Sequence, residues 1–133
     1  MIVVDTNVLA YLLLRGPQTE QAERVYAKDP QWAAPLLWRS EFRNVLIFYL
    51  RRGRLALEEA MTQVRDAEEL MAGSTFEVSS EKVLVLAVGS GCSTYDCEFV
   101  ALAQDLGVPL ITSDSAVLAK FKSTAVSLRK FCS

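Results

Sequence analysis

Short apolar runs alternate along this chain with longer stretches of helical spacing, and that alternation restricts its fold more than any other feature. "MIVV" reads as a short buried strand, and "TNVLAYLLLR" continues it as a helix with Thr6 and Asn7 suited to its N-cap. Gly16-Pro17 ends that helix, "QTEQAERVYAKD" supplies a second, and Asp29-Pro30 closes it before "QWAAP", a strand or connector. Leu36 to Arg52 is expected as a long helix stopped by Gly53, followed by the helix "ALEEAMTQVRDAEELMAG", the two forming an antiparallel hairpin. "TFEVS" reads as a strand, "SEKVLVLAVGSG" as a helix or buried run, "TYDCEFVALAQDLG" as a helix, and "VPLITSD" as a strand leading into "SAVLAKF". The tail "AVSLRKF" adds a last edge strand. The expected architecture is one α/β domain over residues 1–133, with a mostly parallel central sheet and helices on both faces.

Composition narrows the function classes. With 51% apolar and 23% charged residues, the 133-residue chain has the balance of a globular domain able to build its own core. No apolar run reaches the ~18 residues of a membrane helix, and Asp5 interrupts the apolar start, so no membrane partner or signal peptide is expected and the location is read as cytoplasmic. Cys92, Cys97 and Cys132 form no CxxC pair and are odd in number, which argues for reduced thiols. There is no histidine. Ser-His and Cys-His nucleophile pairs are therefore excluded, as are nearly all ordinary zinc ligand sets.

Four acids occupy unusual positions. Asp5 and Asp114 directly follow apolar strand runs, and in open parallel sheets ligands bind outside the carboxyl ends of the strands. Glu41 lies on the apolar stripe of its helix with Leu37, Trp38 and Val45, and Asp96 shares a stripe with Phe99, Val100 and Ala103. A buried carboxylate without compensation costs several kcal/mol, so such groups are paired, hydrogen-bonded or bound to a metal. Asp5, Asp96 and Asp114 have no basic residue within five positions. An all-oxygen set of this kind suits Mg²⁺ or Mn²⁺. Each acid also has a plainer reading: Asp5 and Asp114 as helix N-caps, Asp96 as a first-turn acid favoured by the helix dipole, Glu41 as a surface charge beside Arg39 and Arg43. Glu98, off the Asp96 stripe, is expected in solvent.

Charge is segregated although the net charge is only −2. Arg39, Arg43, Arg51, Arg52 and Arg54 accompany Glu41, and Lys120, Lys122, Arg129 and Lys130 follow Asp114, whereas Glu58 to Glu81 is acidic. A basic rim near an acidic, metal-filled pocket fits a polyanion such as nucleic acid, with Arg39 and Arg43 the candidate RNA contacts. A solvated helix face is the alternative for these arginines.

Over essentially its whole length the chain resembles the PIN-domain ribonucleases, and among them the short VapC-type toxins of toxin-antitoxin pairs. The resemblance rests on "IVVDTNVLAYLL", "SEFRNVL" and "STYDCEFVALAQDLGVPLITSD", in that order. It implies a catalytic and metal-binding cluster of Asp5, Glu41, Asp96 and Asp114 holding Mg²⁺ or Mn²⁺, supported by Thr6, Asn7, Thr112 and Ser113. Cys97 stands where alanine is common in the family. The implied activity is hydrolysis of RNA by metal-activated water, leaving 3′-hydroxyl and 5′-phosphate ends. The implied partners are an RNA substrate, a cognate antitoxin protein and a second copy of the chain, for which Val45, Leu46, Phe48, Tyr49 and Leu50 offer more apolar surface than one stripe needs. Two rival readings are a catalytically inactive PIN fold that binds RNA or antitoxin, and a receiver-like Mg²⁺-binding signalling domain.

Overall fold

The structure, a computed structural model, describes all 133 residues, Met1–Ser133. Five short strands, β1 Ile2–Val4, β2 Trp32–Pro35, β3 Thr75–Phe76, β4 Leu110–Ile111 and β5 Ala125–Val126, pair in parallel in the order β3-β2-β1-β4-β5. Eight helices connect and cover them: α1 Thr6–Leu13, α2 Thr19–Lys28, α3 Trp38–Arg51, α4 Leu57–Leu70, α5 Ser80–Ser90, α6 Thr94–Leu106, α7 Ser115–Lys120 and α8 Leu128–Cys132. Strands β1 and β2 are buried along their whole length, because a parallel strand covered on both faces has no solvent side and is apolar throughout.

Helix α6 crosses β1, β2 and β4, and the small side chains of Cys97, Ala101 and Ala103, all fully buried, let it lie close to its neighbours. Helix α1 packs against α2, α3 and α4, and α2 against α8. Trp32, Trp38, Phe42, Leu9 and Met71 are among the bulkiest fully buried side chains. The Trp38 indole N–H donates to Thr75 Oγ1 at 3.0 Å, which ties the start of α3 to β3.

The strand order reverses between β1 and β4. From β1 the chain builds outward to β2 and β3, then returns to place β4 and β5 on the other side. That reversal opens a crevice at the carboxyl ends of β1 and β4, where Asp5 and Thr112-Ser113-Asp114 follow the strands. The order also differs from the 2-1-3-4-5 arrangement of receiver-like sheets, which removes the signalling-domain reading.

Two expectations shift. The edge strand in "AVSLRKF" is confined to Ala125–Val126, because Ser127 Oγ accepts the Lys130 N–H at 3.1 Å and starts α8. "SEKVLVLAVGSG" is helix α5, but only its Val83 is buried. Gly91 adopts φ 76°, a left-handed conformation that a side chain would strain, and there the chain turns so that α5 and α6 meet at 114°. No single helix is long and apolar enough to cross a membrane.

Candidate active site

A cleft of about 380 Å³ opens at the strand reversal, and Asp5, Thr6, Asn7, Glu41, Asp96 and Asp114 all line it. Each acid arrives from a different element. Asp5 ends β1, Glu41 lies in the first turn of α3, Asp96 in the first turn of α6, and Asp114 follows β4 as the N-cap of α7.

Strand register explains the innermost contact. Val4 pairs with Ile111, so the next residues, Asp5 and Thr112, come side by side. The fully buried Thr112 hydroxyl donates to Asp5 Oδ2 at 2.8 Å, and Thr112 Oγ1 accepts the Asp114 N–H at 3.0 Å. Buried Thr6 donates to Glu41 Oε1 at 2.8 Å. Two threonines thereby fix two carboxylates. Asp114 Oδ1 caps α7 through the Val117 N–H at 2.9 Å. The capping reading of Asp114 is thus correct together with its place in the cleft, whereas Asp5 makes no side-chain cap bond of ordinary geometry with α1 and only a weaker contact with the Asn7 N–H in its first turn.

The site is under electrostatic load. Burial pushes the Asp5 carboxyl above the usual carboxylate range; the charges of Asp96 and Asp114 push the same way, and the Thr112 hydroxyl and the Asn7 backbone N–H only partly offset them. Burial also raises Glu41, reinforced by Asp5, Asp96 and Glu98 and opposed by Thr6. Asp96 is raised by burial and then by Asp114, with Ser93 opposing. None of the four acids takes part in any of the chain's four salt bridges.

An oxygen-only donor set with no protein counterion fits a hard divalent cation. As they stand, no three of the carboxylates are close enough to grip one ion together. Mutual repulsion favours that spread. Glu41 Oε2 and Asp114 Oδ2 have no hydrogen-bond partner and are available as ligands.

Several expected positions lie elsewhere. Ser113 is exposed and pairs with the Tyr11 hydroxyl at 3.1 Å, outside the cleft lining. Arg39 and Arg43 do not line the cleft: Arg39 borders a separate hollow together with Met71, Ala72 and Gly73, and Arg43 edges an apolar groove between α3 and α4. The reason is helical. Residues two positions from Glu41 point about 200° around the axis from it. Glu98 is half-buried rather than solvated, its carboxyl raised by burial, in a neighbouring cleft of about 450 Å³ that holds none of the four acids.

Ser40, Asn44 and Tyr95 line the cleft and were not foreseen. Asn44 stands three residues after Glu41, a spacing that could have flagged it. No periodicity singles out Tyr95, which simply precedes Asp96.

Residues 2–124 match the family described as PIN domain. The chain is 32% identical over 124 residues to Ribonuclease VapC3 of Pyrobaculum aerophilum, across 90% of this chain and 94% of that protein. Among solved structures, PAE2754 from Pyrobaculum aerophilum superposes with a TM-score of 0.77 at 23% identity, covering 98% of this chain and 92% of that one. A toxin-antitoxin complex from Klebsiella pneumoniae gives 0.69 at 21% identity, over 96% and 98%. FitAcB from Neisseria gonorrhoeae gives 0.72 at 15% identity, over 97% and 99%. At these identities the structural matches speak for the fold.

Proposed function

Because the chain belongs to the PIN domain family, we propose that it is a Mg²⁺- or Mn²⁺-dependent endoribonuclease and the toxin of a toxin-antitoxin pair. The observation that carries this reading is the meeting of Asp5, Glu41, Asp96 and Asp114, from four elements, in one cleft without a cationic side chain. The name of the VapC3 relative supports the substrate class, and the Klebsiella pneumoniae complex supports an antitoxin partner.

The four acids would hold the cation, and Thr6, Thr112 and Asn7 would support them. When bound, such an ion supplies Lewis acidity toward a phosphoryl oxygen and a lowered pKa for water. The chain's own contribution is placement. Thr112 holds Asp5 and the backbone of Asp114 in one unit, and Thr6 draws Glu41 toward the end of β1. Hydrolysis by water, rather than attack by the RNA's own 2′-hydroxyl, would leave 3′-hydroxyl and 5′-phosphate ends. A homodimer is part of the proposal, and α5 is the face we assign to it, since Leu84, Val85 and Val88 are exposed there. Of the helix α3 residues expected there, Leu46 is buried and Val45, Tyr49 and Leu50 pack against the core, while Phe48 stays 47% exposed.

The test is cleavage of an RNA panel with Mn²⁺, repeated with a chelator and with Asp5→Asn and Asp96→Asn. Cleavage should vanish with chelator and fall by more than about a hundredfold in both variants while circular dichroism is unchanged, since even residues that only support metal ligands cost 10- to 100-fold. Undiminished cleavage by folded Asp96→Asn would sink the proposal.

A further inference from the structure

We propose that Tyr95 is the stacking platform for a nucleobase flanking the phosphate in the acidic cleft, an inference that rests on the nuclease reading above. Tyr95 is the one aromatic among the eleven residues lining the cleft. It is 60% exposed, directly before Asp96. The aromatic pairs of the protein are Tyr26–Trp32, Trp38–Phe42 and Phe48–Tyr49, so the Tyr95 ring has no aromatic partner, and its hydroxyl makes no hydrogen bond within the chain.

Its backbone is nevertheless well anchored. Ser93 Oγ accepts the Asp96 N–H at 3.0 Å, the Cys97 N–H reaches the Ser93 carbonyl at 3.0 Å, and Cys97 itself is fully buried. An aromatic ring on a fixed backbone has only two side-chain torsions to lose when a ligand lands on it.

The charge of the cleft makes such a contact useful. No lysine or arginine lines it, and four carboxylates do. A polyanion therefore finds no protein cation there, and attachment beyond the metal has to come from uncharged contacts. Base–aromatic stacking is of that kind and is tolerant of sequence, because every base has a π-face. Base faces are available in single strands and hidden in duplexes, so the ligand class is single-stranded RNA with an unstacked base beside the bound phosphate.

The experiment uses single-stranded RNA oligomers with a cleavage-resistant phosphorothioate backbone, carrying 2-aminopurine at successive positions, in Mg²⁺, which binds sulfur poorly. The full chain is compared with Tyr95→Phe and Tyr95→Ala. Fluorescence should be quenched at one position by the wild type and by Tyr95→Phe. Tyr95→Ala should lose that quenching and bind about five- to a hundredfold more weakly, with an unchanged melting temperature. Equal affinity and quenching in Tyr95→Ala overturns the inference, as does a Tyr95→Ala whose only change is a loss of self-association. Failure of the wild type to cut ordinary RNA in Mn²⁺ overturns the nuclease reading instead, and leaves a Tyr95-dependent binding result standing.

Discussion

Thr112 illustrates how one side chain organises this site. Its hydroxyl both donates to Asp5 and accepts from the backbone of Asp114, with no solvent to replace either bond. Valine has nearly the same shape and neither function. Thr112→Val should therefore weaken Mn²⁺ binding about 10- to 100-fold in calorimetric titration, the range typical of lost support behind a metal ligand. It should also lower stability by about 1–3 kcal/mol in denaturant unfolding, because the Asp114 N–H loses its acceptor. Unchanged metal affinity would mean that the bond has no part in holding the site. Arg39 and Arg43 teach the opposite lesson at this scale, since closeness in sequence to Glu41 places them on the far side of the same helix.

Among the elements, α6 and α5 divide the work unevenly. Helix α6 is buried through its middle, at Cys97 and from Phe99 to Ala103, and carries Asp96 into the cleft. Helix α5 packs on α6 but leaves Leu84, Val85 and Val88 exposed, Val88 at 88%. From sequence the run "VLVLAV" is equally consistent with burial inside the domain, and only the packing shows that one side of it is left uncovered. If a second copy covers it, Val88→Arg should convert a dimer into a monomer in light scattering after gel filtration, with its melting temperature judged against wild type at matched low concentration. A wild-type chain that runs as a monomer at tens of micromolar would rule out the α5 interface.

For the whole molecule, the acid cluster makes metal binding and stability one question. Asp5, Glu41 and Asp96 hold their protons more tightly folded than unfolded, chiefly through burial. Their ionisation thus opposes folding: the stabilisation from the protonated forms is complete below the ordinary carboxylate range of about 4 and is lost as pH rises through the raised folded values. Without metal, Asp5→Asn should melt higher than wild type at pH 7, and the gap should close as pH falls toward 4. Saturating Mn²⁺ should raise the wild-type melting temperature on the order of 10 °C and leave Asp5→Asn almost unmoved. A wild type indifferent to Mn²⁺ would remove the metal from the account. Sequence alone determined the alternation that yields a parallel α/β sheet, the acids that end β1 and β4, and the inward stripes of Glu41 and Asp96, because residue periodicity and strand-end position are local properties. Tertiary structure decided the rest: the 107-residue contact between Thr112 and Asp5, the turning away of Arg39 and Arg43, the placing of Tyr95 at the cleft and the half-burial of Glu98. These depend on which strands become neighbours and how helices rotate onto them, and packing across the whole core fixes that choice.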